Sequence, residues 1–181
     1  MFKKNFLKFQ IFSIILEFIL GTLLHFTFEW SNNNLVVASF SAVNESTWEH
    51  LKLIYFPMLL TTIIGYLYFG KNISYFLCSK VIGILVAMCF TVTFFYTYTG
   101  ILGTNLAFLN IGSFFVAILL GEYIVYKMLN SIISCNPKIA VLALLILLFL
   151  FVIFTYFPPS IGLFQDPVTN KFGIIEKLSF K

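Results

Sequence analysis

The chain has two histidines and seven acidic side chains among 181 residues. His25 and Glu29 are four residues apart, which on a helix puts both on one face, one turn apart. That is a two-ligand unit for a divalent metal. A polar block, Asn44-Glu45-Ser46-Thr47-Trp48-Glu49-His50, follows after one hairpin's length. A single hairpin keeps the two segments close, so Asn44, Glu45, Glu49 and His50 are expected beside His25 and Glu29. Two imidazoles with two or three carboxylates suit Zn²⁺, Mn²⁺ or Fe²⁺. The expected ligands are His25, Glu29, Glu49 and His50. The same groups also suit proton transfer between an acid and a base. A plainer reading has Asn44 or Ser46 capping a helix, Glu49 favouring its positive end, and Glu29 facing headgroups.

Glu17 and Glu122 form a second pair, each inside a long apolar run. At about 1.5 Å per residue, they lie roughly 20 Å and 24 Å from the same end of their helices. Similar depth suggests that both face the bundle interior. Two close carboxylates share a proton or bind a cation if water reaches them. The plainer reading is a neutral Glu bonded to a hydroxyl, or Glu122 reaching the interface.

The elements that position these residues must be membrane helices. The hydrophobic fraction is 60%, charged residues are 10% and Phe alone counts 24. Mean hydropathy is +0.99. A soluble domain has roughly 25% charged residues, and so many phenylalanines exclude disorder in water. The net charge of +4 comes from lysine alone. Without Arg there is no bidentate fork for phosphate, and scattered lysines form no nucleic-acid stripe. The expected partners are the lipid bilayer and a membrane protein or a second copy of the chain.

A spanning helix needs about 20 apolar residues. Five stretches qualify, at about 9–30, 51–69, 75–98, 106–128 and 139–157. The expected fold is an all-α integral membrane protein. It is a bundle of five transmembrane helices with an interfacial outer loop between helices 1 and 2. The whole chain forms one domain, with a tail over 158–181 that can fold across the outer loop and bring Asp166 near His50. Glu17 interrupts the first apolar run and no A-x-A site follows, so that run is an uncleaved helix, not a signal peptide. Pro57 is expected to start the second helix late or kink it.

Lys3, Lys4, Lys8, Lys71, Lys80, Lys127 and Lys138 fall on one side of this topology; Lys52 in an outer hairpin and Lys171, Lys177 and Lys181 in the tail fall on the other, so the bias rests on the short loops. The positive-inside rule then places the N-terminus in the cytoplasm and the C-terminus outside, and the Lys, Asn, Ile and Phe bias suggests a bacterial inner membrane. A reporter joined after Lys181 is expected outside, and one in the Lys71 hairpin inside. Both on one side would contradict five crossings. Cys78, Cys89 and Cys135 form no C-x-x-C pair, so buried thiols are expected and a disulfide is not.

The block Asn44–Lys52, with His25-x-x-x-Glu29-Trp30 before it and Phe164-Gln165-Asp166-Pro167 after it, resembles a small multi-pass membrane family of unknown function from Gram-positive anaerobes. That resemblance covers nearly the whole chain and implies no activity. The same block is similar, with spacing two residues shorter, to the Asn-Glu-Thr … Trp-x-His-Leu motif of the progestin and adipoQ receptors and the membrane ceramidases. Those proteins have seven helices and more metal-binding histidines than this chain contains.

Three functions remain open at this point. The first is a protein that binds or transports a cation, proton or small ligand through an intramembrane Glu/His site. The second is an intramembrane metal-dependent hydrolase using the outer His/Glu cluster. The third is an accessory subunit without a ligand. No phosphate loop, G-x-S-x-G or H-E-x-x-H motif narrows the choice.

Overall fold

The computed structural model describes residues 2–70, 75–129 and 135–174. The turns expected at 70–74 and 130–137 lie mostly outside the described residues, as do Lys71, Lys177 and Lys181. The helices are α1 (Phe2–Trp30), α2 (Leu35–Ala38), α3 (Thr47–Tyr68), α4 (Phe76–Leu102), α5 (Ala107–Leu129) and α6 (Pro137–Tyr156). All but α2 are long and apolar enough to cross a membrane. No strand forms among the described residues; Gln165 and Phe172 make one isolated antiparallel bridge.

Local chemistry sets the ends of these helices. α1 begins at Phe2, well before Phe9, because lysine is a good helix former and continues the apolar run backwards. The Ser46 hydroxyl accepts from Glu49 N at 3.3 Å and starts α3. Pro57 neither delays α3 nor ends it, and sits in the helix interior. α4 ends at Gly103, whose φ of +67° is the left-handed stop that glycine adopts freely. Asn136 caps α6 by accepting from Lys138 N at 3.0 Å, with Pro137 in the first turn.

α3 and α4 pack together at the centre. α1 lies against α3 and α5, α5 against α4, and α6 against α4 and α3. Tyr55, Ile54, Met58, Ile84 and Phe151 are fully buried in this core. α4 and α5 touch backbone to backbone: a Cβ on Gly121 would stand 2.7 Å from the Gly83 carbonyl oxygen. That approach lets a side chain on α4 reach one on α5. Ile139, Leu142, Leu145 and Phe149 of α6 stay exposed, as an apolar solvent permits.

The segment between α1 and α3 folds onto the ends of both helices. Asn32 and Asn33 turn the chain with φ of 55° and 58°, and Asn34 caps the short α2. The tail closes over this segment. Phe164 is buried against Trp48 and Phe154, with ring centroids 4.8 Å and 5.3 Å away. Asn44 Nδ2 donates to the Gly173 carbonyl at 2.8 Å. Asp166 Oδ2 accepts from Glu45 N at 3.3 Å.

Two expectations need correction. Lys80 and Lys52 are not loop charges, because both lie within helices and are fully buried. Among the described residues, exposed Lys8, Lys127 and Lys138 remain at one end of the bundle and Lys171 at the other. Cys78 and Cys135 are not separate thiols. They are joined as a disulfide, 57 residues apart in sequence with Cα atoms 6.5 Å apart. The bundle brings the start of α4 beside the start of α6, which residue spacing alone does not reveal. Cys89 is free and exposed.

Candidate functional site

His25 sits near the end of α1, His50 in the first turn of α3, and Glu45 in the connecting segment just before the Ser46 cap. The hairpin brings the three together. The imidazole centroids are 5.3 Å apart. His25 Nε2 is 3.7 Å from Glu45 Oε1, and His50 Nε2 is 3.5 Å from Glu45 Oε2. One donor atom from each residue lies within 4.8 Å of the others. Ligand atoms around a tetrahedral zinc ion stand about 3.3 Å apart, given bonds of about 2.0–2.1 Å. The observed triangle is wider, with donor atoms up to 4.8 Å apart, and must contract by as much as about 1.5 Å to close on an ion.

The second nitrogen of His50 is already fixed. Nδ1 lies 2.9 Å from the Ser46 carbonyl oxygen, which can only accept, so Nδ1 carries the hydrogen. In the neutral ring this leaves the Nε2 lone pair facing Glu45 and His25. A backbone carbonyl holding the far nitrogen is the usual way of orienting a ligating histidine.

The other expected ligands fall elsewhere. Glu49 points from α3 in a different direction and is almost fully buried. Its Oε2 is 2.6 Å from Lys52 Nζ and accepts from Val43 N at 3.0 Å. Its Oε1 accepts from Thr155 Oγ1 at 3.5 Å. Lys52 Nζ also donates to the Ala38 and Ser41 carbonyls at 2.9 Å and 3.2 Å. This ion pair pins the α1–α3 segment onto α3 and takes Glu49 out of any metal set. The reason is angular: Glu49 and His50 are adjacent on a helix, so their side chains diverge. Glu29 is exposed and lies outside the three-residue group. Asn44 is a bracket, its Oδ1 accepting from Ser46 N at 2.8 Å while its amide holds the tail.

The histidines and Glu45 line one side of a cavity of about 410 Å³ between α1, α3, α4 and α5. Asn105, Asn110 and Ser113 add polar atoms, and Phe18, Leu53, Phe95 and Phe114 supply apolar walls. Tyr98 ties Asn105 and Asn110 together, its hydroxyl oxygen standing 2.9 Å and 2.5 Å from their Oδ1 atoms with one hydrogen to give to either. Gly21 closes one wall. A Cβ there would meet the Phe114 ring at 2.4 Å and the Leu53 carbonyl at 2.5 Å.

Further along the same four helices lies a buried charge network. Glu17 is 0% exposed, and Lys80 and Glu122 are 1% exposed. Lys80 Nζ is 2.5 Å from Glu122 Oε1 and 3.9 Å from Glu17 Oε1. Thr61 donates to Glu17 Oε1. Gln10 Nε2 donates to Glu122 Oε2 at 3.1 Å and to its carbonyl at 2.6 Å. Glu17 and Glu122 thus do face the interior, but with a lysine beside both. Residue typing alone overlooked Lys80, although it lies inside the third apolar run, where an ionisable group calls for a partner. Gln10, Ser13 and Glu17 also follow helical spacing, a polar stripe on an otherwise apolar helix.

Comparison with known proteins places this arrangement in a lineage without assigning it a chemistry. Residues 2–174 match a family of unknown function (DUF6512), and the chain belongs to that family. No curated protein and no solved structure matches it. The similarity to the progestin and adipoQ receptors and the ceramidases therefore gains no support, and the described residues show five candidate spans where those proteins have seven helices.

Proposed function

Because membership of that family leaves the chemistry to the residues themselves, we propose that this chain is a membrane-spanning protein that binds a divalent metal ion through His25, Glu45 and His50. The observation that carries this reading is the convergence of three donor atoms within 4.8 Å, with His50 held by the Ser46 carbonyl. Two imidazoles and one carboxylate suit Zn²⁺ or Fe²⁺ better than the all-oxygen preference of Mn²⁺. Three protein ligands leave one coordination position open, and here the ligand set borders the cavity. A small molecule entering the cavity reaches that position directly.

An open position is also what catalytic zinc sites keep, so metal-dependent hydrolysis is the second reading. It has less support, because Glu49 is engaged by Lys52 and does not join the set as a base. The five apolar helices support a bilayer location, and the lysine bias supports an N-terminus on the cytoplasmic side. That bias puts the end bearing Lys8, Lys127 and Lys138 in the cytoplasm. The Cys78–Cys135 pair lies at the same end, and a disulfide persists in an oxidising compartment. The reporter in the Lys71 hairpin separates these two indications.

Cobalt substitution tests the metal reading. Purified, tag-free protein titrated with Co²⁺ is expected to develop the intense visible bands of a four-coordinate site. His50→Ala is expected to abolish them. A spectrum indistinguishable from aqueous Co²⁺ would contradict the proposal.

A further inference from the structure

The Lys80 network holds two carboxyl groups and one ammonium. Glu17 and Glu122 face one ammonium, and all three groups are out of water. Lys80 is satisfied chiefly by Glu122, at 2.5 Å, and stands 3.9 Å from Glu17. Glu17 Oε1 accepts from Thr61, but Glu17 Oε2 is buried without a hydrogen-bond partner. The hydroxyl of Ser13 is also buried without one. Ser13 precedes Glu17 by four residues, so the two share one face of α1, one turn apart. Both carboxyl groups flank the Lys80 ammonium, which brings Glu17 and Glu122 close together. Two carboxylates that meet offer only acceptors, and something positive must stand with them.

We propose that Glu17 and Ser13 bind one monovalent cation, a proton or a sodium ion, which completes the charge balance of the Lys80 network. The chemistry is shared by both cations. A proton on Glu17 Oε2 turns that oxygen into a donor, and the Ser13 hydroxyl, which makes no hydrogen bond in this structure, can accept from it once it moves into reach. A sodium ion is ligated by the same two oxygens. Among the described residues, the charged groups facing Glu17 are Lys80 from α4 and Glu122 from α5, with neutral Thr61 from α3. This site is separate from the histidine cluster. Glu17 lies a helical turn beyond Gly21, and the Phe18 and Phe114 rings, 5.8 Å apart, stand at that inner end of the cavity.

The experiment uses the full chain in lipid nanodiscs, with two arms. Infrared spectra in sodium-free buffer are read for a protonated carboxyl C=O band near neutral pH. Equilibrium binding of radioactive ²²Na⁺ is measured in parallel. One signal is expected in the wild type: a carboxyl band if the cation is a proton, or one bound sodium per chain if it is an alkali ion. Glu17→Gln, whose amide keeps the size and hydrogen bonding of the neutral acid, is expected to fold and to lose that signal. Ser13→Ala, the milder change, is expected to shift the carboxyl band or to weaken sodium binding about tenfold. It serves as the test variant if Glu17→Gln does not fold. A wild type with neither signal would overturn the proposal, and so would a signal unchanged in the folded variants.

Discussion

Replacing Lys80 by methionine is expected to destabilise the bundle by about 3–5 kcal/mol, the usual cost of removing one partner from a buried ion pair. Methionine nearly matches the length of lysine, so the packing between α4 and α5 at Gly83 and Gly121 is preserved. What changes is charge. Glu17 and Glu122 are left facing each other, with Thr61 and Gln10 as their neutral donors. The same argument predicts a rescue. In the variant Glu17→Gln/Lys80→Met/Glu122→Gln, every group is neutral and close to its original shape, and most of the lost stability should return. Unfolding in mild detergent, followed by circular dichroism, reads both effects. A Lys80→Met protein as stable as the wild type would show that the network is not a charged one.

His25→Ala and His50→Ala are each expected to lower Zn²⁺ affinity by more than about 100-fold. Loss of a residue that merely orients a ligand typically costs about 10–100-fold, and loss of a ligand costs more. Glu29→Gln should change affinity little, because Glu29 is outside the three-residue group. Affinity in the wild type should also fall on acidification. The ligating form of histidine is neutral, so protons compete with the metal and binding weakens on acidification. Competition against a chromophoric chelator measures all of these. Equal affinity in His50→Ala and the wild type would remove the site.

The bulk architecture was legible because it rests on hydropathy over long windows. Five apolar runs became five long helices, and the ends moved only where capping or helix propensity outweighed hydropathy, as at Ser46 and Phe2. The meeting of His25 with His50 was also legible, since one hairpin constrains it. Glu49 was misassigned because residue types were counted without the angle between neighbours on a helix. Glu45 approaches the two histidines from a non-helical segment, and its direction depends on the Ser46 cap and the Asp166 contact, which no periodicity reports. Lys80 and Lys52 were read as loop charges because lysine usually lies in water. Their burial follows from partners 42 and 3 residues away, and the first of these is a tertiary fact. The Cys78–Cys135 pairing belongs to the same class.

The central claim is that His25, Glu45 and His50 hold one divalent ion. Elemental analysis tests it most directly, on tag-free protein loaded with Zn²⁺, purified in detergent and desalted to remove loosely held ions. The account predicts one zinc per chain in the wild type and none in a folded His25→Ala/His50→Ala protein. A wild type that emerges metal-free, or a double variant that retains as much zinc as the wild type, would contradict it.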